Sequence, residues 1–560
     1  AMFLTPSAFA QMPSPPDASL ADRFGQLVVQ DKGGRMKPMS TLTGEVLRKL
    51  NGTNRFHGQS PGQVYLSISA FPDRWQYVPL IKIKSRELQL FLGVQGRMAC
   101  FVDFFDHEHG STYKLGQLVQ DAYALKPQQR TSLQKDAIRV DEKVNIFYMI
   151  SSGQMVRLFP VPHKPHEPWL TLAEAMGNAD SSQVKVIANS FAEMLYAVRA
   201  HSQSDSLDNA FKSIESVIDY QRQYGSSVMP TSGRIKTENL ANRLLIFERL
   251  IPFYGLAGLV LLILVFVQLV SSRVSGNWLY SVLYILLAVG FAVHTIAIGM
   301  RWYIAGRVPL SNAYETMIYI AWATMLAGFI FSRMTKVVVP ATALISTLTL
   351  FVAHLSWMDP EISNLVPVLK SHWLTIHVAV VTASYGFFGL GAMLGLFNLV
   401  LFALKNEKNR NVIDKQIDRI TDINEINLTL GLYLLTIGSF LGAVWANESW
   451  GRYWGWDPKE TWALITILVY TFVVHMRLIP AFKTPFSFNF ASLIAIGSVL
   501  MTYFGVNYYL SGLHSYAGGD SAPVPTWLFI VVGLILSFSF FAWYNNRLVD
   551  GYQNSVEKEN

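Results

Sequence analysis

The sequence predicts a polytopic α-helical membrane protein of about nine spans, preceded by an N-terminal extracytoplasmic α+β domain. Three observations lead there. Hydrophobic residues make up 51% of the 560-residue chain and charged residues only 15%, against about 25% charged in an ordinary soluble protein, and the mean hydropathy is +0.28. Apolar stretches of about 20 residues, enough to cross the hydrocarbon core, recur throughout the second half. Residues 1–245 contain none of that length and hold 27 of the 45 basic residues. This composition excludes a disordered chain, a coiled coil and an ordinary cytosolic enzyme. The formal net charge of +7 is small and scattered, so nucleic acid is not an expected partner.

Taken in order, Ala1 to Ala10 end in an A-x-A-like pattern that resembles the tail of an export signal without its charged and apolar parts. These residues read as the end of something longer, either a cropped signal or a lost upstream membrane half. In the soluble part, Val64-Tyr65-Leu66-Ser67-Ile68 alternates like a strand, and residues 181–247 read as helical. The spans fall near 251–270, 279–300, 312–332, 337–356, 373–404, 427–446, 461–479, 490–510 and 526–545. The membrane domain is thus 246–550, followed by a cytoplasmic tail, 551–560. One set of loops holds 12 basic residues, among them Arg333, Lys336, Lys405, Lys415, Arg419 and Lys483; the opposite set holds Arg301, Arg307, Lys370, Arg452 and Lys459. Positive charge accumulates on the cytoplasmic side, which puts the C-terminus inside and the N-terminal domain outside.

The chemistry concentrates in an outer loop, 445–462, with the sequence W-A-N-E-S-W-G-R-Y-W-G-W-D-P-K-E-T-W. It carries Trp445, Trp450, Trp454, Trp456 and Trp462, five of the chain's 14 tryptophans. Trp also gathers at membrane interfaces, but a belt spreads around a bundle, and this density sits in one loop. A packed indole platform suits a large, flat, apolar ligand with a polar edge. Asp457, Pro458 and Glu460 spell a helix cap, and Asn312 with Glu315 spells a second one after Gly306-Arg307-Val308-Pro309-Leu310-Ser311.

Six of the 12 histidines lie in each part of the chain. His107-Glu108-His109 and His163-Lys164-Pro165-His166 lack further ligands at metal spacing and read as surface residues. His377, about one turn into its span, and His514, in a later outer loop, flank the Trp loop in sequence and share its side. Two neutral imidazoles are a common axial pair for haem iron; the alternative for each is a hydrogen-bonded interfacial residue. His475 lies 14 residues into its span, about 21 Å down, where an ionisable group points to function: a haem ligand or proton relay, or else a residue paired with a neighbouring Ser or carbonyl. His294 and His354 are packing residues or ligands of a second haem. His372 reads as interfacial.

W-G-R-Y-W-G-W-D-P-K-E-T-W resembles the tryptophan-rich WWD signature of haem-handling membrane proteins of cytochrome c maturation. The order His377, Trp loop, His475, His514, with Arg301-Trp302 through Glu315, resembles the CcsA half of CcsBA-type (System II) cytochrome c synthases over about residues 250–545; Gln30 to Pro38 is similar to the extracytoplasmic segment of fused members. The resemblance implies a holocytochrome c synthase, or cytochrome c haem lyase, in the bacterial inner membrane. Haem b, as substrate and bound intermediate, moves outward, docks at the Trp loop between His377 and His514, and is joined by thioethers to Cys-x-x-Cys-His of apocytochrome c. His475 becomes one of two intramembrane transit ligands. The second comes in fused members from a CcsB-like half, which is here a separate partner or a missing upstream segment, or is replaced by His294. Arg301, Arg307 or Arg452 then pairs with haem propionates. With the single cysteine, Cys100, the chain has no internal disulfide or Cys-x-x-Cys pair, so thiols come from the substrate and a thiol-reducing system. Three rivals remain: a haem exporter or chaperone without ligase activity, a b-type electron-transfer cytochrome, and a membrane scaffold with an aromatic belt.

Overall fold

A computed structural model describes residues 12–106, 112–126, 129–177, 182–200, 204–270, 276–355, 358–365, 370–510, 512 and 526–559. The chain divides into two compact units. One comprises the residues up to Leu244 together with Glu361–Asn364; the other comprises Leu245–Pro360 and Leu365–Asn560.

The first unit is mainly helical around a small antiparallel sheet. Its strands are β1 (Val28–Gln30), β2 (Met36–Pro38), β3 (Arg157–Phe159) and β4 (Leu170–Thr171), in the order β2-β1-β3-β4. Val28 faces Pro38, and Gln30 faces both Met36 and Arg157. The buried Gln221 carboxamide stitches β1 to β3: its Nε2 donates to the Val28 and Leu158 carbonyls at 2.8 and 2.9 Å, and its Oε1 accepts from Val28 N. Phe24, Trp75, Phe104 and Phe159 fill the core. The helix Ser204–Gly225 buries Ala210, Ile214, Val217 and Ile218, spaced as one helical stripe requires.

The segment Val64–Ile68 is not a strand. It lies inside the helix Pro61–Ala70, which starts from a reciprocal cap between Ser60 and Gln63 with Pro61 in its first turn. All five of its residues are buried, so their apparent alternation carried no inside-outside information, and the cap decides the conformation.

The membrane unit contains α1 (Ile246–Val270), α2 (Asn277–Ala305), α3 (Ala313–Phe331), α4 (Val338–Ala353), α5 (His372–Leu404), α6 (Arg410–Trp450), α7 (Pro458–His475), α8 (Pro485–Leu500) and α9 (Thr526–Glu559). Eight of them, among the described residues, are long and apolar enough to cross a membrane; α4 is shorter. The protein is therefore a polytopic helical membrane protein. At 16 residues, α4 is about 24 Å long and is packed on most of its surface. The helix α9 continues unbroken through Glu559, so 551–559, read as a tail, extends that helix.

α3 and α5 are the most enclosed helices, and α5 packs most extensively on α6. A buried polar knot fastens α5, α6 and α8: Asn398 Nδ2 donates to Asn489 Oδ1 (3.0 Å) and Thr421 Oγ1 (3.1 Å), and Asn489 Nδ2 donates to Thr421 Oγ1 (2.7 Å). Such hydrogen bonds contribute about 0.6 kcal/mol each between membrane helices; their larger effect is to fix which faces meet.

Candidate functional site

The tryptophan segment is mostly helix rather than loop. No breaker precedes Gly451, so α6 runs on through Trp445 and Trp450 and ends where Gly451, at φ +71°, donates its N–H back to Asn447. Only 451–457 lies between the helices, and Trp462 already belongs to the first turns of α7. At the end of α6, Trp445 is buried and meets Trp450 edge-on at 4.7 Å, while the Arg452 guanidinium stands 5.9 Å from the Trp450 ring centre. Trp454 and Trp456 form a second edge-on pair at 6.0 Å.

The carboxylate of Glu460 shapes the turn. It accepts from the N–H of Gly455 (2.8 Å) and of Asp457 (3.3 Å), while Asp457 Oδ1 caps α7 by accepting from Lys459 N (3.0 Å). The residue held between those two amides is Trp456. It adopts φ +57° and is 70% exposed. A left-handed backbone is costly for a residue with a large side chain, and the carboxylate clamp holds it there with the indole facing outward.

His377 sits in the second turn of α5. Its Nδ1 lies 2.6 Å from the Gly438 carbonyl of α6. A carbonyl only accepts, so Nδ1 carries a proton and donates it to this bond. The ring lies directly over Gly442: a Cβ there would come within 2.5 Å of His377 Cε1 and 2.6 Å of Nδ1. Gly438, Gly442 and Trp445 share one face of α6, and Trp450 lies about 12 Å farther along its axis than Gly442. The imidazole is thus seated on the helix that leads into the tryptophan corner.

The other predicted site residues fall in different places. His514 lies outside the described residues. Two residues before it, the backbone of Gly512 approaches the α7 cap so closely that a Cβ would be 2.3 Å from Asp457 Oδ2. His475 is the last residue of α7, at the opposite end from the Trp corner; it is exposed, and its Nδ1 donates to Thr471 O at 2.8 Å. His294 is fully buried, with Nε2 donating to Ile318 O (3.1 Å) and Nδ1 facing the Tyr254 hydroxyl (3.4 Å). Both nitrogens are occupied, as in a packing residue. His354 Nδ1 donates to Leu350 O (2.7 Å), and its ring packs edge-on against Tyr314. Among the described residues no group of three or more His, Cys, Asp or Glu could hold a metal ion.

Arg301 and Arg307 converge on Glu315, which is fully buried: Arg301 Nε lies 3.0 Å from Oε1, and Arg307 Nη1 lies 3.1 Å from Oε2. Glu315 also accepts from Ser311 N (2.9 Å), and its own N–H is capped by Asn312 Oδ1 (2.8 Å). In the sequence Glu315 reads only as part of a cap. The signal for its larger role was three charges close together beside apolar spans, since buried charges must pair. The seat for His377 was equally visible as G-x-x-x-G at 438–442, the pattern that lets membrane helices approach closely.

One irregular segment joins these parts. After α8 the chain makes a π-turn, Met501–Gly505, and a further turn, Val506–Tyr509. Thr502 Oγ1 donates to Trp462 O of α7 (3.1 Å), Tyr503 OH donates to Ala313 O of α3 (3.1 Å), and Asn507 Oδ1 accepts from Lys459 Nζ (3.4 Å).

Comparison with known proteins bears directly on this geometry. A family profile described as cytochrome C assembly protein matches residues 310–514. The cytochrome c biogenesis protein CcsA of Prochlorococcus marinus (strain MIT 9303) is 34% identical over 299 residues, covering 92% of that protein and 47% of this chain. The chain belongs to the cytochrome c assembly family. A second CcsA, from Guillardia theta, is 36% identical over 249 residues, covering 81% of it and 40% of this chain. Protein NrfI of Wolinella succinogenes is 44% identical over 505 residues, covering 90% of this chain; the chain spans 55% of the length of NrfI. The family match begins beside the α3 cap and takes in Glu315, His377, the Trp corner, His475 and the π-turn. Arg301 and Arg307 lie just ahead of it. The protein is therefore a membrane protein of cytochrome c biogenesis, and haem handling belongs to that family role.

Proposed function

We propose that this assembly-family chain is a cytochrome c haem lyase of the bacterial inner membrane, with its Trp corner on the outer side. It holds haem b as substrate between His377 and His514 and joins it to Cys-x-x-Cys-His of apocytochrome c. The observation that carries this reading is the seating of His377. Its Nδ1 donates to the Gly438 carbonyl and its ring lies over Gly442, and such a hydrogen bond on one nitrogen orients an imidazole that ligates iron through the other and makes it more basic. The approach of Gly512 to Asp457 supports His514 as the opposing ligand, since it starts that segment at the Trp corner.

Each thioether forms by addition. The cysteine sulfur bonds to the inner carbon of a vinyl group, its proton goes to the outer carbon, and nothing leaves. The main barrier is then bringing vinyl and thiol together in the right orientation. Trp445, Trp450, Trp454, Trp456 and Trp462 supply faces and edges for the porphyrin, and Asp457 and Glu460 hold the turn that carries them. The Arg301–Arg307–Glu315 cluster, with two positive charges and one negative, offers one net positive charge to a propionate. His475, at the far end of α7, serves haem transit, with a second ligand from a CcsB-like membrane segment.

Co-expression with a Cys-x-x-Cys-His apocytochrome tests the reading. Haem stain should remain on the substrate in a denaturing gel. His377→Gly should abolish it and lower bound haem at least tenfold, with partial recovery when imidazole is added. His475→Ala should reduce haem at the outer site. Unchanged haem and unchanged product in His377→Gly would reject the ligand assignment, and haem that stays noncovalently on this chain would make it an exporter.

A further inference from the structure

A cavity of about 810 Å³ opens at the end of the membrane unit remote from the Trp corner, about 39 Å along α6 from Trp445. It is walled by the end of α1 (Val265, Gln268), the start of α2 (Tyr280 to Ile285), the α3–α4 connection (Ser332 to Val337) and Gln416 and Arg419 of α6. Its described lining contains three cations, Arg333, Lys336 and Arg419, and no carboxylate. None of the three forms an ion pair among the described residues. Arg419 donates to the Met334 carbonyl, and Lys336 Nζ donates to Asn277 Oδ1 at 2.9 Å and stands 5.2 Å from the Tyr280 ring centre. Gln268 Nε2 is buried on the wall with no hydrogen-bond partner among the described residues.

Concentrated positive charge beside an unpaired buried donor calls for an anion. The other wall calls for a hydrocarbon. Ile285 lines the cavity and is 60% exposed, and Val282, Leu286 and Val289 continue an exposed apolar row on α2. The mouth therefore opens toward the lipid-facing side of that helix. The same end carries the basic loops that loop charge assigns to the cytoplasmic leaflet.

We propose that this cavity binds the phosphate headgroup of an anionic glycerophospholipid, with its acyl chains lying along the outward face of α2. Basic clefts between membrane helices at this level select acidic headgroups through phosphate contacts and net charge. The site is independent of haem attachment.

Native mass spectrometry of the purified, delipidated full-length chain provides the test. Dioleoylphosphatidylglycerol should bind at least tenfold more tightly than dioleoylphosphatidylcholine, which has the same chains and phosphate but no net charge. Arg333→Gln/Lys336→Gln, two exposed positions, should lower phosphatidylglycerol binding about tenfold, whereas Lys483→Gln, a basic residue outside the cavity, should leave it unchanged. Retention of the wild-type elution volume and helical circular dichroism checks the fold of each variant. Equal binding of the two lipids, or wild-type binding by the double variant, would overturn the proposal. Displacement of the lipid by millimolar inorganic phosphate would also overturn it, leaving a simple phosphate site. So would displacement by mesoporphyrin IX in a manner lost in the double variant, which would make the cavity a porphyrin dicarboxylate site.

Discussion

Glu315 and two histidines illustrate what single side chains decide in this protein. Glu315 has no exposure and two guanidinium partners. Removing one member of a buried ion cluster costs about 3–5 kcal/mol, mainly through the charges left behind. Glu315→Ala should therefore lower the thermal unfolding midpoint of the detergent-solubilised protein sharply, and more than Asp457→Ala, which removes a cap contributing about 1 kcal/mol. Equal midpoints for wild type and Glu315→Ala would show that the cluster does not hold the α3 end. His294 and His377 look alike in sequence, each an imidazole within an apolar span. Packing separates them: His294 is enclosed between Tyr254 and Ile318, whereas the His377 Nδ1 donates to Gly438 O and its ring lies over Gly442. That difference depends on which helix lies opposite, which no single span contains. Cys100 completes the residue scale. Burial and the nearby Asp103 carboxylate push its thiol up to about 11, so it stays protonated and is a poor nucleophile.

At the scale of elements, the membrane helices were legible because length and apolarity alone specify a span. Their ends were less so. The tryptophan segment reads as loop because Gly451 and Gly455 suggest tight turns, yet no helix breaker precedes Gly451 and α6 continues to Trp450. Val64–Ile68 read as a strand because alternation is uninformative where every face is buried. The α5–α6 seam was spelled out in the sequence but could not be interpreted until its partner was known. It gives a sharp test. Gly442→Ala adds one methyl where the His377 ring lies, 2.5 Å from Cε1, while favouring the helix itself by up to about 1 kcal/mol. The variant should fold with a wild-type circular dichroism spectrum yet lose haem at least tenfold by absorbance, mimicking His377→Gly without touching the histidine. Wild-type haem content in Gly442→Ala would show that the seat does not orient the ring.

At the scale of the whole molecule, each of the two units carries its own electrostatic character. In the N-terminal unit Glu45 is buried beside Lys37, which also pairs with Asp31 at 3.3 Å. Burial outweighs Lys37 and pushes Glu45 up to about 7. A carboxyl raised in the folded state binds its proton more tightly there than in the unfolded chain, so its contribution is full below about 4.5 and is lost as the pH rises through about 7. The unfolding midpoint of this unit should fall between pH 5 and pH 7.5 in the wild type and change less in Glu45→Gln; identical slopes in scanning fluorimetry would contradict the assignment. In the membrane unit, the π-turn after α8 touches α7 through Thr502 and α3 through Tyr503. A π-turn holds one residue more than the helical turn it replaces, and successive helical residues are about 100° apart. Deleting a single residue between Met501 and Gly505 would restore a regular spiral and rotate all that follows by that angle. Asn507 would swing off Lys459, and the chain through Gly512 would be carried away from Asp457. The extra residue acts as a phase setting, an offset of about 100° that sets which way Asn507 faces.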